Sequence, residues 1–122
     1  LARVMNRFEQ YSPSLLEIHH TAKLDQPSGT AITLAEGLLQ ELDRKTDWAN
    51  ESSSQDHTLS IISERTGEVP GTHEIVYESA VDTIRIVHEA KNRQGFAHGA
   101  VLASEWIAGK KGIFTMHDFL KF

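Results

Sequence analysis

Apolar residues recur at helical spacing through the second quarter of the chain. Ala31, Leu34, Ala35, Leu38, Leu39 and Leu42 fall on one stripe, the pattern of an amphipathic helix. The spacing predicts a helix running to about residue 44, with Ser28 as its N-cap. A shorter apolar face (Val4, Met5, Phe8) predicts a first helix over 2–10, broken by Tyr11-Ser12-Pro13-Ser14. Residues 15–20 read as a short strand. Alternation then replaces the helical period, and three further strands are predicted at 58–64, 72–78 and 82–90. In the last of these, Ile84, Ile86 and His88 share one face while Thr83, Arg85 and Val87 share the other. The segment 65–71 carries Gly67, Pro70 and Gly71 and reads as a turn-rich loop. Ser79 to Asp82 is short enough for a hairpin. The polar stretch 46–57 is expected to be a mobile loop. A last helix is predicted over 94–107, with Phe96, Ala100, Ala103 and Ile107 on one stripe and Gly109 at its end. The tail, 112–122, is apolar enough to pack down.

This order of elements predicts an α+β domain: a mixed β-sheet with helices packed on one face. The other sheet face, rich in Ile and Val, is then available for oligomerisation, sheet against sheet. The chain has 122 residues and neither an internal repeat nor a linker, so residues 1–122 are expected to form one domain.

Composition narrows the function classes. Hydrophobic residues make up 39% and charged residues 24%, an ordinary globular balance. No apolar run approaches the roughly 20 residues of a membrane span, and no charged-then-apolar leader opens the chain. With no cysteine, disulfides and thiolate metal sites are excluded, and a cytoplasmic location is expected. A formal net charge of -5 with no Lys/Arg stripe argues against nucleic-acid binding. Because the chain starts at Leu1 with no initiator methionine, a fragment or an incompletely recorded chain is expected.

Candidate chemistry concentrates in Glu17-Ile18-His19-His20-Thr21-Ala22-Lys23-Leu24-Asp25-Gln26-Pro27-Ser28-Gly29-Thr30-Ala31. Two histidines and a lysine precede a helix start, whose first N–H groups lack partners and attract anions. Proton transfer and a grip on a carboxylate or phosphate therefore share one segment. Blander readings stand beside these. Adjacent strand residues face opposite ways, so one histidine could pack while the other is exposed. A loop lysine is often just solvated, and any serine could cap the helix. Gly29 adds something capping does not explain, because glycine in a first turn costs stability yet lets a ligand approach the backbone. The chain has no Gly-x-x-x-x-Gly-Lys and no Gly-x-Gly-x-x-Gly, so it carries neither a P-loop nor a dinucleotide fold of its own. His19, His20 and Asp25, with His57, His73, His88, His98 and His117 in reserve, match no standard metal spacing, and no metal is expected. A Ser-His-Asp triad lacks its Gly-x-Ser-x-Gly elbow.

The segment from His19 to Ala31 resembles the signature of the dihydrodipicolinate reductase family, with Gln26 where that family usually has alanine. The resemblance continues through Arg65-Thr66-Gly67 and Gly71-Thr72-His73, through Arg93 and Phe96-Ala97-His98-Gly99-Ala100, and through Gly112 to Asp118. It covers nearly the whole chain and corresponds to that family's C-terminal substrate-binding and tetramer-forming domain. The resemblance implies reduction of 4-hydroxy-tetrahydrodipicolinate, a cyclic dicarboxylate, by NADPH or NADH in lysine and diaminopimelate biosynthesis. It implies a general acid/base role for His19 with Lys23 as its partner, and a carboxylate grip from His20, Ser28, Gly29 and Thr30. Arg93 and Phe96 would lie near the cofactor, which is bound mainly by an N-terminal Rossmann domain absent from this chain. A homotetramer through the sheet is also implied. The competing reading is a tetramerisation module with no ligand binding of its own.

Overall fold

Strand β1 (Ser12–His19) is the central strand of a five-stranded mixed sheet. The computed structural model describes residues 1–121, which separate into two units, Leu1–Ala90 and a second from Lys91 onward. The first unit contains α1 (Ala2–Met5), β1, α2 (Gly29–Leu39), β2 (Asp47–Ala49), β3 (Thr58–Arg65), β4 (Thr72–Glu78) and β5 (Thr83–Glu89). The sheet order is β2-β3-β1-β4-β5. β1 runs parallel to β3 and antiparallel to β4, β2 is parallel to β3, and β4 and β5 form a hairpin. A parallel pair needs a crossover, and α2 lies in the one between β1 and β3.

Burial alternates strictly along β1, with Pro13, Leu15, Glu17 and His19 on the covered face. Leu59, Ile61 and Tyr77 join Leu15 there, against Ala31, Ala35 and Leu38 of α2, with Leu42 and Met5 completing the core. Alanine at 31 and 35 lets the helix backbone approach the sheet. Each large side chain buried here contributes about 1.5–3 kcal/mol. The opposite face presents Leu16, Ile18, Ile62 and Val76, none fully buried, and exposed Val87. This is the predicted α+β arrangement, with one face covered and the other partly exposed. Among the described residues no helix is long and apolar enough to cross a membrane.

Two helices are shorter than their periodicity predicts, for one reason. α1 stops at Met5 and α2 at Leu39. Asn6 Nδ2 donates to Asp43 Oδ2 at 2.7 Å, and Asp43 N donates to Asn6 Oδ1 at 3.0 Å. Arg44 donates to the carbonyls of Met5 and Asn6 at 3.4 Å and of Tyr11 at 2.8 Å. Of these, Asp43 N and the Met5 and Asn6 carbonyls are backbone groups that longer helices would need. Pro13 lies inside β1 rather than before it. The β3 pairing begins only at Ser14, so the chain is still edge-like where proline removes a donor.

The segment expected to be a mobile loop, 46–57, instead contributes β2 at the sheet edge. It is tied to β3 by Ser53 N to Ser60 Oγ at 3.0 Å and by Ser63 Oγ to Asn50 Oδ1 at 2.8 Å. The hairpin from Ser79 to Asp82 forms as predicted, closed by Ser79 N to Asp82 O at 2.9 Å.

The second unit holds α3 (Gln94–Ile107), as predicted, and α4 (Met116–Leu120), which was not. Gly109 takes a φ of +77° just beyond α3. A capping box between Thr115 and Asp118 starts α4. Of the apolar tail, Phe114 and Phe119 meet the Trp106 ring edge-on, each at 5.4 Å between centroids.

Candidate active site at the end of the central strand

Strand register assembles the site. Glu17 and His19 sit two residues apart on the covered face of β1. Glu17 pairs with Ser63 of β3 and His73 of β4, and His19 pairs with Arg65. Arg65 Nη2 donates to Glu17 Oε1 at 2.8 Å and to the Asp25 carbonyl at 2.6 Å. Glu17 Oε2 forms a short hydrogen bond with His19 Nδ1. The His73 ring stands edge-on to His19, 5.1 Å between centroids. His73 Nε2 is 3.0 Å from Ser28 Oγ, and that oxygen accepts from Ala31 N at 3.2 Å, capping α2. Lys23 Nζ donates to both Asp25 carboxylate oxygens at 2.8 Å.

The electrostatics follow from burial and partners. The Glu17 side chain is 0% exposed. Burial pushes its carboxyl up, but hydrogen bonds from Arg65, Ser63 and His19 outweigh that and hold it below the usual carboxylate range. His73 is pushed down, chiefly by burial and then by the neighbouring His19, so it favours the neutral ring. Asp25 is held below its usual range mainly by the hydrogen bond from Lys23. Gly71 lies against the outer nitrogen of His19. A Cβ built there would fall 3.1 Å from His19 Nε2.

The predicted site residues divide by location. His19 and Ser28 join one cluster through His73. Lys23 is engaged with Asp25. His20 is half-buried just past β1, its carbonyl accepting from Lys23 N at 3.1 Å. Gly29 and Thr30 form the exposed first turn of α2. Their amides have no hydrogen-bond partner among the described residues, and nothing lies within 4 Å of where a Cβ on Gly29 would be. Arg93 and Phe96 belong to the second unit, where Arg93 is the N-cap of α3 and Phe96 is exposed.

Sequence reasoning missed Glu17, Arg65, Gly71 and His73 as members of the cluster. The two-residue period of β1 already puts Glu17 on the face of His19, and Arg65, Gly71 and His73 lie within one recognised stretch. Their convergence needs the strand register. The metal-type donors that do meet are Glu17, His19 and His73, whose ligand atoms lie within 4.8 Å of one another, rather than His19, His20 and Asp25. Arg65 already occupies one Glu17 oxygen, and its charge opposes a second cation there.

The fold and this cluster define an α+β domain with a buried Glu17–His19 pair linked through His73 to the N-terminus of α2. The chain belongs to the dihydrodipicolinate reductase C-terminus family, which matches residues 1–120. It is 49% identical over 120 residues to the 4-hydroxy-tetrahydrodipicolinate reductase of Christiangramia forsetii, covering 98% of this chain and 50% of that protein. To the enzyme of the same name from Rickettsia bellii it is 42% identical over 116 residues, covering 93% and 46%. The chain thus spans about half the length of these relatives. Its fold is similar to that of the dipicolinate-bound dihydrodipicolinate reductase from Paenisporosarcina sp. TG-14, with a TM-score of 0.60, 24% identity, and coverage of 87% and 45%.

Proposed function

We propose that this chain is the substrate-binding and acid–base half of an NAD(P)H-dependent 4-hydroxy-tetrahydrodipicolinate reductase, a cytoplasmic enzyme of lysine and diaminopimelate biosynthesis. The observation that carries the proposal is that His73 links His19 to the capped start of α2, in a chain of this family. The unpartnered Gly29 and Thr30 amides, the Ser28 hydroxyl, His20 and Lys23 form the grip on a cyclic dicarboxylate. Helix N-terminus and cations both favour a dianion. Lys23 exchanges Asp25 for a substrate carboxylate on binding. His19 supplies the proton that accompanies hydride, a role worth about 10²–10⁴-fold.

When bound, NADPH or NADH supplies the hydride. The residues of this chain do not fit the cofactor's phosphates, because the turn between β1 and α2 carries Lys23, Asp25 and Pro27 instead of a glycine-rich cradle. The proposal therefore assigns the cofactor to an N-terminal Rossmann domain outside residues 1–122, with Arg93 and Phe96 as contacts at its nicotinamide end. Residues 1–122 alone are expected to turn over no NADPH.

The second reading, a tetramerisation module without ligand binding, is favoured by one observation: the open sheet face of Leu16, Ile18, Ile62 and Val76. A homotetramer formed through that face is compatible with both. Calorimetric titration with pyridine-2,6-dicarboxylate separates them. Saturable binding that Lys23→Ala weakens at least about tenfold (1.4 kcal/mol) is expected of the substrate half. Absence of binding both to this chain and to the whole reductase would overturn that reading.

A further inference from the structure

Glu17 has no part in the grip or the proton transfer described above, yet it is the most deeply buried charge of the cluster and holds both Arg65 and His19. We propose that Glu17, anchored by Arg65, is a positioning residue that fixes His19 as the Nδ1–H tautomer, so that the transferable proton is carried on Nε2. This rests on the reading of His19 as the proton donor and adds how that donor is oriented.

The argument uses only donor and acceptor capacity. An ionised carboxylate accepts and cannot donate. Arg65, with donors only, takes Glu17 Oε1 at 2.8 Å. Oε2 faces His19 Nδ1, so Nδ1 must carry hydrogen in both charge states of the ring. Nε2 is then the nitrogen that gains and loses a proton. It is also the nitrogen beside Gly71, where a Cβ would lie 3.1 Å away. The depressed acidity range of Glu17 agrees with a carboxylate that stays charged when buried. In the transfer, the Nε2–H bond breaks and a C–H bond forms on the substrate. The nitrogen keeps the electron pair, and the imidazolium returns to the neutral Nδ1–H ring that Glu17 already holds.

Glu17→Gln tests this because the amide has only one acceptor. Arg65 claims the amide oxygen, which leaves the NH₂ facing Nδ1 and forces the Nε2–H tautomer. The first measurement is read on the unsubstituted dyad. Long-range ¹⁵N–¹H spectra of the 122-residue chain at alkaline pH, with the His19 signals assigned by their loss in His19→Gln, should show a protonated Nδ1 and a bare Nε2. A dominant Nε2–H form would overturn the proposal. In the whole reductase, Glu17→Gln should lower kcat about 10²–10⁴-fold, the scale of a wrong-tautomer change in a histidine–carboxylate pair, with KM for the dicarboxylate changed only a few-fold. A parallel fall in His19→Gln supports the underlying reading, and full activity in His19→Gln would sink that reading first. An inactive His19→Gln beside a Glu17→Gln with unchanged kcat would remove the positioning role alone.

Discussion

Gly71 and His19 approach so closely that the space between them admits no side chain: a Cβ at 71 would lie 3.1 Å from His19 Nε2. The backbone there has a φ of +156°, whereas Gly67, in the same loop, has a φ of +49° with nothing within 4 Å of a Cβ. The pair allows crowding to be separated from backbone strain. Gly67→Ala should cost only the backbone term, about 1–2 kcal/mol. Gly71→Ala should add about 1–3 kcal/mol of overpacking and displace the His19 ring. Urea denaturation of both variants measures the costs, and equal destabilisation would contradict the crowding at His19.

The stability of the fold should fall in two steps on acidification. His73 is held below its ordinary value, so the unfolded chain binds the proton first. Its contribution is present above the unfolded value of about 6.5 and is lost as pH falls through the folded one. Glu17 is depressed as well, so its contribution is present above the unfolded value of about 4.3 and is lost further into acid, as pH falls through its own folded value. Thermal unfolding between pH 8 and pH 2 should therefore show a decline beginning below about 6.5 that His73→Gln abolishes, and a later one that Glu17→Gln reduces. A pH profile unchanged by His73→Gln would refute the first assignment.

Arg44 clasps three backbone carbonyls of the N-terminal segment, those of Met5, Asn6 and Tyr11. Arg44→Ala leaves them short of a charged donor and should cost about 1–3 kcal/mol. Binding of pyridine-2,6-dicarboxylate to the folded fraction should not change, because no residue of the cluster contacts this clasp. Denaturation and titration on the same preparation check both halves. A large loss of affinity in fully folded Arg44→Ala would show that the clasp and the site are coupled.

The legible part of the site is the contiguous part. His19, Lys23 and Ser28 lie within ten residues, and their chemistry could be weighed from residue type and spacing. Glu17 could have been added from the two-residue period of β1, since it shares a face with His19. Arg65, Gly71 and His73 could not be joined to them by any local pattern. Their stretch read as a turn-rich loop because glycine and proline report local conformation, whereas partnership across strands depends on register. Lys23 is a different case: the partner its amino group takes, Asp25, is two residues away, within the same segment.

Local physics set most of the elements. The stripe from Ala31 to Leu38, the alternation of β5 and the helix from Gln94 to Ile107 each follow from periodicity, because burying one face fixes the repeat. The mixed α+β class followed from their order. Helix lengths, the edge strand β2 and the last helix α4 were decided elsewhere. Leu42 belongs to the apolar stripe and is 0% exposed, yet α2 has already ended, since Asn6 and Arg44 pull the chain toward the N-terminal segment. Residue pattern alone was enough to say which faces must be buried and which short segment gathers two histidines and a lysine ahead of a helix start. That β1 lies between β3 and β4, bringing Arg65 and His73 to Glu17 and His19, comes from the assembled sheet. Such non-local pairings depend on the register of the whole sheet, and no window of sequence contains it.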